Sequence, residues 1–580
     1  MIRLLLCAAA LALPLAAPAF AQPPAPAESA ADARLRALYE AEWAWRRGEF
    51  GRLGDHGPGA LADRWPRVDP AAWQARLAYW DRALAELDTI PLDALSPEQR
   101  INAAVFRTMI EELAGDVRRR AYEAPFNSDS FFWTYLAPRS GFADAEEYRR
   151  YIGRLRDLPR YFREHMANMR SGLDRGFSIP RVTLTGRDAT MEPFLPADET
   201  NPLYAPFAAM PAAIPAAEQE RLRAEGLAAI REAAAPAYAE LLTMFRTEYM
   251  PRARATTAAR DLPDGEAFYQ GEIAKFTTLD ITPREIHDIG LREVARVRAE
   301  MEETKRRAGF DGSLAEFIAF LRTDPQFYAR TPRELLATAA YVVKKADGKL
   351  GETIGTLPRY RHGIVAVPAE LAPIYTSGRG GLQNCMFNTH NLPSRPLYTL
   401  PALALHECTP GHSFQAALAL EGPDRPAFRQ QTYFSGYGEG WGLYVEWLGI
   451  EMGIYETPYE DFGRLTYEMW RAARLVIDTG LHAYGWSRDQ ALDYLRENTA
   501  LSELEIVNEI DRYISWPGQA TAYKLGELTI RRLRAEAEAA LGPRFDKRKF
   551  HDVVLALGSV PLTTLEERIA RFIADGGETG

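Results

Sequence analysis

Cysteine, histidine and basic charge are all in short supply in this chain of 580 residues. It has three Cys, which excludes a disulfide-dense scaffold. The net charge of −10 leaves no basic excess for a nucleic-acid or anionic-membrane partner. With 47% hydrophobic and 26% charged residues, collagen-like and intrinsically disordered chains are excluded as well. These values describe a globular protein with a large core, in which nine histidines can be followed one by one.

Long apolar runs are missing too, except at the N-terminus. Met1–Ala21 has one positive charge, an apolar run over Leu4–Ala17 and an A-x-A site. This order is typical of a secretory signal peptide cleaved between Ala21 and Gln22. A membrane anchor is the alternative, and Pro14 with the short apolar run disfavours it. We therefore expect a periplasmic or secreted protein that is not bound to a membrane after cleavage.

Cleavage would leave two cysteines, Cys385 and Cys408. In an oxidising compartment they could form a disulfide, but the sequence does not give their separation in space. Two buried free thiols are the simpler expectation.

Helix-start signals dominate the rest of the chain. Ser96-Pro97-Glu98-Gln99 offers a Ser N-cap, a Pro at the first helical position and a Gln at the third. It predicts a helix that continues to about Tyr122. The same kind of pattern predicts further helices after Thr282, Thr331 and Ser487, and a long one over Pro458–Ala483.

Strand signals are few. Gly363–Pro368 and Gly381–Asn388 are short, and they are bounded by Gly and Pro. A Pro- and Gly-rich stretch, Ile179–Pro215, separates an N-terminal helical region (22–215) from the rest (216–580), and we expect the two regions to form one cleft. No fixed-period repeat is visible, so the chain is not a solenoid. The predicted fold is mainly α, with a small β-sheet beside the helix described next.

Two histidines belong to one heptapeptide, His406-Glu407-Cys408-Thr409-Pro410-Gly411-His412. His followed by Glu starts a zincin helix, in which the His binds zinc and the Glu is the general base. His412 comes six residues after His406, about 120° round an undistorted helix. Because Pro410 lacks an N–H and Gly411 tolerates unusual backbone angles, a break here could return His412 to His406. The alternative is a capped or salt-bridged surface feature.

A catalytic zinc needs a third ligand and an open position for water. Glu439 lies between glycines that allow close approach, and it is the preferred third ligand. Glu446 lies seven residues later on the same helix face and could orient a ligand histidine. For either residue, a solvated helix charge is the alternative.

Two further residues are candidates for stabilising an oxyanion. His482 shares a predicted helix face with Arg474 and Asp478, which could form an ion pair. Tyr523 could donate a phenolic hydrogen bond to the same oxyanion or to a leaving amine. A structural histidine and a core tyrosine are the alternatives.

An extended edge over Gly380–His390 could bind a peptide substrate by strand addition. Arg379 and Arg395 flank this segment and could bind a substrate carboxylate. The sequence does not assign a role to His390.

The segment HECTPGHSFQ (His406–Gln415) resembles the bacterial domain-of-unknown-function 885 family, whose hallmark is HExxPGH. The resemblance extends over most of the chain, through Phe268–Gly290, Gly438–Glu446, Arg474–Ser487 and Asp511–Gly526. The family is similar to gluzincin peptidases, which are mainly helical enzymes with a deep cleft. The resemblance implies one zinc ion per chain on His406, His412 and Glu439, with Glu407 activating the water. The chain departs from the family pattern at Ser413, where a second His is frequent.

The leading hypothesis is an exported zinc metallopeptidase that hydrolyses oligopeptides. Glu407 takes a proton from the zinc-bound water, and Tyr523 and His482 stabilise the oxyanion. One alternative is a zinc hydrolase of a non-peptide amide, such as a cell-wall fragment. Another is a helical binding protein with a relic metal site, which the retention of Glu407 disfavours. The sequence leaves open endo- or exopeptidase action and the oligomeric state.

Overall fold

The computed structural model of the protein describes residues 29–52, 61–138, 140–369, 372, 375–422 and 424–579. The predicted signal peptide and its cleavage site therefore lie outside the described residues. Within the described ranges, no helix combines the length and the apolar character needed to cross a membrane.

The fold is mainly α, as the helix-start signals predicted. The α-helices, in chain order, are α1 (Ala30–Phe50), α2 (Pro70–Leu87), α3 (Pro97–Arg118), α4 (Ala145–Arg175), α5 (Ala205–Ala208), α6 (Ala216–Ala229), α7 (Ala235–Met244), α8 (Met250–Arg252), α9 (Gly265–Thr277), α10 (Pro283–Arg307), α11 (Leu314–Thr323), α12 (Pro332–Thr353), α13 (Leu400–Glu407), α14 (His412–Glu421), α15 (Ala427–Gln430), α16 (Ser435–Glu451), α17 (Pro458–His482), α18 (Arg488–Asn498), α19 (Glu503–Ser515), α20 (Ala522–Leu541), α21 (Lys547–Ala556) and α22 (Leu562–Ala574). Two π-helical segments, Ile230–Ala234 and Phe245–Tyr249, join α6, α7 and α8 into one continuous helix.

The predicted helix starts are confirmed by their caps. Ser96, Thr282, Thr331 and Ser487 each accept a hydrogen bond from the backbone N–H three residues later. The first of these helices ends at Arg118 rather than near Tyr122, because Arg120 takes a left-handed backbone conformation that starts a 3-10 turn.

The small sheet has three strands, β1 (Gly363–Ala366), β2 (Gly378–Arg379) and β3 (Asn384–Phe387), in the order β1-β3-β2. β1 runs parallel and β2 antiparallel to β3. Both predicted strands are present, although shorter than expected. β2 was not predicted, because two residues are too few to show an alternating pattern.

A disulfide joins the sheet to the end of α13. Cys385 of β3 and Cys408 have Cα atoms 5.6 Å apart, within the range that a disulfide spans. The expectation of two free thiols is therefore wrong. The sheet packs so closely on α13 that the two cysteines meet, which the sequence alone could not show.

Two large hydrophobic cores organise the chain. One core combines α1–α3 with side chains from Val294 to Phe572, and the other lies within 61–253. The cores thus do not follow the predicted boundary at residue 215, because α1–α3 pack into the C-terminal body while α6–α8 pack with α4. The first core surrounds α13, α16 and α17, which carry most of the site.

Helices α16 and α20 meet backbone to backbone. A Cβ on Gly440 would lie 2.6 Å from the Cα of Gly526, and a Cβ on Gly526 would overlap the carbonyl oxygen of Gly436. Only glycine permits this approach. It brings the first turns of α16, with Glu439, beside the first turns of α20, with Tyr523.

Candidate active site

The chain breaks between α13 and α14, as Pro410 and Gly411 led us to expect. Gly411 is required at the break, because a Cβ there would overlap the carbonyl oxygen of His406. The indole Nε1 of Trp441 donates to the Pro410 carbonyl at 2.8 Å, so α16 holds the broken segment in place. As a result, the rings of His406 and His412 stand edge to face with centroids 4.8 Å apart.

His406, His412 and Glu439 form a cluster that could hold a metal ion. Glu439 Oε2 lies 3.4 Å from His406 Nε2 and 3.3 Å from His412 Nε2, and one ligand atom from each residue lies within 4.8 Å of the others. Ligands bound at about 2.1 Å to a tetrahedral zinc are themselves separated by ~3.4 Å. Two imidazoles and a carboxylate are also a donor set that catalytic zinc uses. The residues present therefore fit this ion.

Glu446 orients His406 from behind the cluster. Its Oε1 lies 2.7 Å from His406 Nδ1, so the other ring nitrogen of His406 faces Glu439. Glu446 is buried, and Arg471 lies 3.5 Å from the same carboxylate oxygen. Gly442 leaves room for the imidazole, because a Cβ there would lie 2.6 Å from the ring. Glu446 thus occupies the position predicted for it.

The cluster stabilises positive charge. Burial lowers the pKa of His406, but hydrogen bonds to Glu439 and Glu446 and the charges of Glu446 and Glu407 raise it overall to about 10. Burial raises the pKa of Glu439, but the two histidines hold it well below its usual value. A divalent cation would satisfy the same excess of carboxylate around two imidazoles.

Glu407 points toward the edge of the sheet. Its Oε2 accepts a hydrogen bond from the Gly380 N–H, directly after β2, at 2.6 Å. Ser413, the departure from the family pattern, strengthens the same junction. Its hydroxyl donates to the Glu407 carbonyl at 3.0 Å and accepts from the Gly381 N–H at 3.1 Å. These hydrogen bonds therefore hold the segment after β2 at a fixed position beside Glu407, at the end of α13.

Tyr523 lies close enough to affect the charge of Tyr433, a tyrosine at the cluster that sequence reasoning missed. Tyr433 donates a long hydrogen bond of 3.4 Å to Glu439 Oε1. Surrounding protein, and then the charges of Glu439 and Tyr523, raise the pKa of Tyr433 well above its usual value. The three side chains thus share one environment. The only sequence signal for Tyr433 was its position just before α16.

His482 has no ring nitrogen left for a substrate. Its Nδ1 accepts from the Ala259 N–H at 3.1 Å, and its Nε2 donates to the Tyr513 carbonyl at 2.9 Å. Burial lowers its pKa to about 3, so the imidazole is neutral. These contacts argue against the predicted oxyanion role and match the structural alternative.

Arg474 finds a different partner from the one its spacing indicated. It pairs with Glu509 of α19 at 2.8 Å and donates to the Tyr513 hydroxyl. Asp478 instead accepts hydrogen bonds from the Tyr269 hydroxyl and the Gly518 N–H. Arg474 and Asp478 therefore bind partners on other elements instead of forming the predicted i,i+4 ion pair.

The remaining candidates lie around the sheet. Arg395 is engaged by Ser377 at 2.8 Å and by Glu505 at 3.4 Å, and only 10% of its side chain is exposed. Arg379 is exposed on β2, and a hydrogen bond to Tyr375 raises its pKa. His390 is exposed and is not part of the ligand cluster found among the described residues.

The structure thus defines a mainly α protein in which an HExxPGH break gathers two histidines and a glutamate. The chain belongs to the family described as bacterial protein of unknown function (DUF885), whose model matches residues 49–569. A solved candidate lipoprotein from Colwellia psychrerythraea is similar, with 26% identity and a TM-score of 0.83 over 94% of this chain and 100% of that one. A candidate lipoprotein of unknown function from Shewanella oneidensis has the same fold, with 16% identity and a TM-score of 0.70 over 93% and 100%. No curated protein matches the chain.

Proposed function

We propose that this protein is an exported zinc metallopeptidase that hydrolyses peptide bonds of oligopeptides. The observation that carries the proposal is the position of Glu407, adjacent to His406 and held by the edge strand. The lipoprotein descriptions of its structural neighbours support export. The resemblance of the HExxPGH segment to gluzincin peptidases supports the reaction class.

His406, His412 and Glu439 are the residues that would hold the metal. The chemistry that zinc supplies when bound is the acidification of water and the polarisation of a carbonyl. Glu446 fixes the orientation of His406, and partners of this kind are important for metal affinity.

Glu407 is the general base in this proposal. One carboxylate oxygen is fixed by the Gly380 N–H, and among the described residues no donor hydrogen-bonds the other oxygen. That second oxygen is available to take a proton from the attacking water and to deliver it to the leaving amine. The fixed geometry favours transfer because the base does not have to be reoriented.

The strand β2 supports a peptide as the substrate. Among the described residues this strand lies at the edge of the sheet and pairs with β3 alone, and Gly380 continues it to the base. An extended peptide can add to such an edge by backbone hydrogen bonds. A compact non-peptide amide would make less use of it, so we favour peptides over cell-wall amides.

Tyr523 is the oxyanion donor in this proposal, and His482 is left out because both its nitrogens are engaged. Tyr433 lies beside Glu439 with its hydroxyl next to the cluster, although 55% of the residue as a whole is exposed.

The test combines metal analysis with a peptide-library digest read by mass spectrometry. We expect about one zinc per chain after mild purification, lost in His406→Ala. Glu407→Gln should keep the zinc and lose turnover. Full turnover in Glu407→Gln would refute the proposed base, and a metal-free wild-type protein would favour a binding role.

A further inference from the structure

Arg512 of α19 holds the phenol oxygen of Tyr523. Its Nη2 donates to the Tyr523 hydroxyl oxygen at 3.1 Å and to Gln519 Oε1 at 2.7 Å. Its Nη1 donates to Glu509 Oε1 at 3.3 Å. Asp129, an exposed residue of the 61–253 region, lies 3.8 Å from its Nε. Three hydrogen-bond acceptors and one carboxylate therefore surround this guanidinium, and the Arg512 side chain is only 17% exposed.

A second arginine fixes the ring. The guanidinium of Arg474 lies 4.2 Å from the centroid of the Tyr523 ring and 4.4 Å from that of Trp470. Glu509 bridges the two arginines, since its other oxygen lies 2.8 Å from Arg474. With one arginine on its face and one at its oxygen, Tyr523 has little freedom to turn.

These contacts limit where the phenolic hydrogen can point. A guanidinium has only donors, so the Tyr523 oxygen must accept from Arg512 and its own hydrogen must point elsewhere. Among the described residues no acceptor takes that hydrogen. Hydrogen bonds that chain in this way also polarise one another, which makes the phenol a better donor.

We propose that Arg512 is a positioning residue that directs the Tyr523 hydroxyl hydrogen at the oxyanion of the tetrahedral intermediate. The proposal rests on the proposed peptidase function. Arg512 itself touches no substrate and acts only through Tyr523. Asp129 adds an ion pair from a loop of the 61–253 region, so this region takes part in placing the donor.

A double-mutant cycle tests this. Tyr523→Phe is expected to lower kcat about 100-fold, as for the loss of one oxyanion donor, with KM little changed. Arg512→Met is expected to lower kcat about 10-fold in the wild-type background and not at all in the Tyr523→Phe background. The same factor in both backgrounds would overturn the proposal. If Arg512→Met does not fold, Arg512→Lys enters the cycle under the same criterion.

Arg488→Met is the matched control. Arg488 pairs with Asp511, the residue before Arg512, at 2.7 Å and does not contact Tyr523. We expect its kcat to equal that of the wild type. A zinc-loaded wild type without peptidase activity would overturn both proposals, whereas an active wild type with additive losses would overturn only this one.

Discussion

The two halves of the candidate site are built in different ways. The metal half comes from one short break in the chain, which carries His406, Glu407 and His412, and it is completed by Glu439 of α16. The hydroxyl half, Tyr523 with Arg512, depends on how α16, α19 and α20 pack. The comparison teaches that a backbone break positions ligands locally, whereas a hydrogen-bond donor is aimed by contacts between distant elements.

The largest effect is expected from a substitution that disturbs the backbone break in the metal half. In Gly411→Ala, the new Cβ overlaps the His406 carbonyl, so we expect zinc binding to be lost and the free energy of unfolding to fall by about 3 kcal/mol. Metal content and urea unfolding measure both. Gly348→Ala in α12, where a Cβ has nothing within 4 Å, should keep its zinc and unfold with a free energy that is unchanged or up to about 1 kcal/mol higher. Normal zinc content in Gly411→Ala would show that the break tolerates a side chain.

The next effect concerns the orientation of a ligand. Glu446→Gln removes the charge that fixes His406 Nδ1, so the zinc dissociation constant should rise about 10- to 100-fold. Competition with a chelator measures it. Glu451→Gln, on the same helix but paired with Arg534, is the control and should bind zinc like the wild type. Equal zinc affinities in the wild type, Glu446→Gln and Glu451→Gln would show that Glu446 does not contribute to metal binding.

Asp478, which binds Gly518 just before the Arg512 partner Gln519, should give the surroundings of the hydroxyl half a pH dependence of stability. Burial raises the pKa of Asp478 to about 7, against the lowering effect of its bonds to Tyr269 and Gly518. Because its pKa is higher folded than unfolded, Asp478 contributes stability below the unfolded pKa, and this is lost as pH rises through about 7.

Between about pH 4 and about pH 8, the wild type should therefore lose about 4 kcal/mol of unfolding free energy relative to Asp478→Asn. Urea unfolding of both proteins across this range measures the difference. A difference that stays constant with pH would show that Asp478 keeps an ordinary pKa.

The smallest effect is expected where the halves meet. Tyr433→Phe removes a hydrogen bond to Glu439 that is long, at 3.4 Å, so the zinc dissociation constant should rise only about 2-fold. The same chelator competition applies. A 10-fold rise would mean that Tyr433 belongs to the metal half.

Several features could be predicted because they depend on a few neighbouring residues. The caps at Ser96, Thr282 and Ser487 fix helix starts by side-chain bonds within one turn. The break at Gly411 depends on backbone geometry over six residues. The position of Glu446 behind His406 follows from its helix spacing to Glu439.

The remaining features depend on partners that sequence spacing does not reveal. His482 accepts a hydrogen bond from the N–H of Ala259, 223 residues away, and Arg474 forms its ion pair with Glu509 rather than with Asp478. The disulfide of Cys385 and Cys408 forms because the sheet packs on α13.

The sequence by itself determined the mainly α class, the strand candidates and the group of metal-type ligands with its adjacent glutamate. Only the tertiary structure decided which polar side chains remain free to act, since a buried donor or acceptor takes whichever partner the packing brings within reach. That choice left the hydrogen of Tyr523 available and used up both nitrogens of His482.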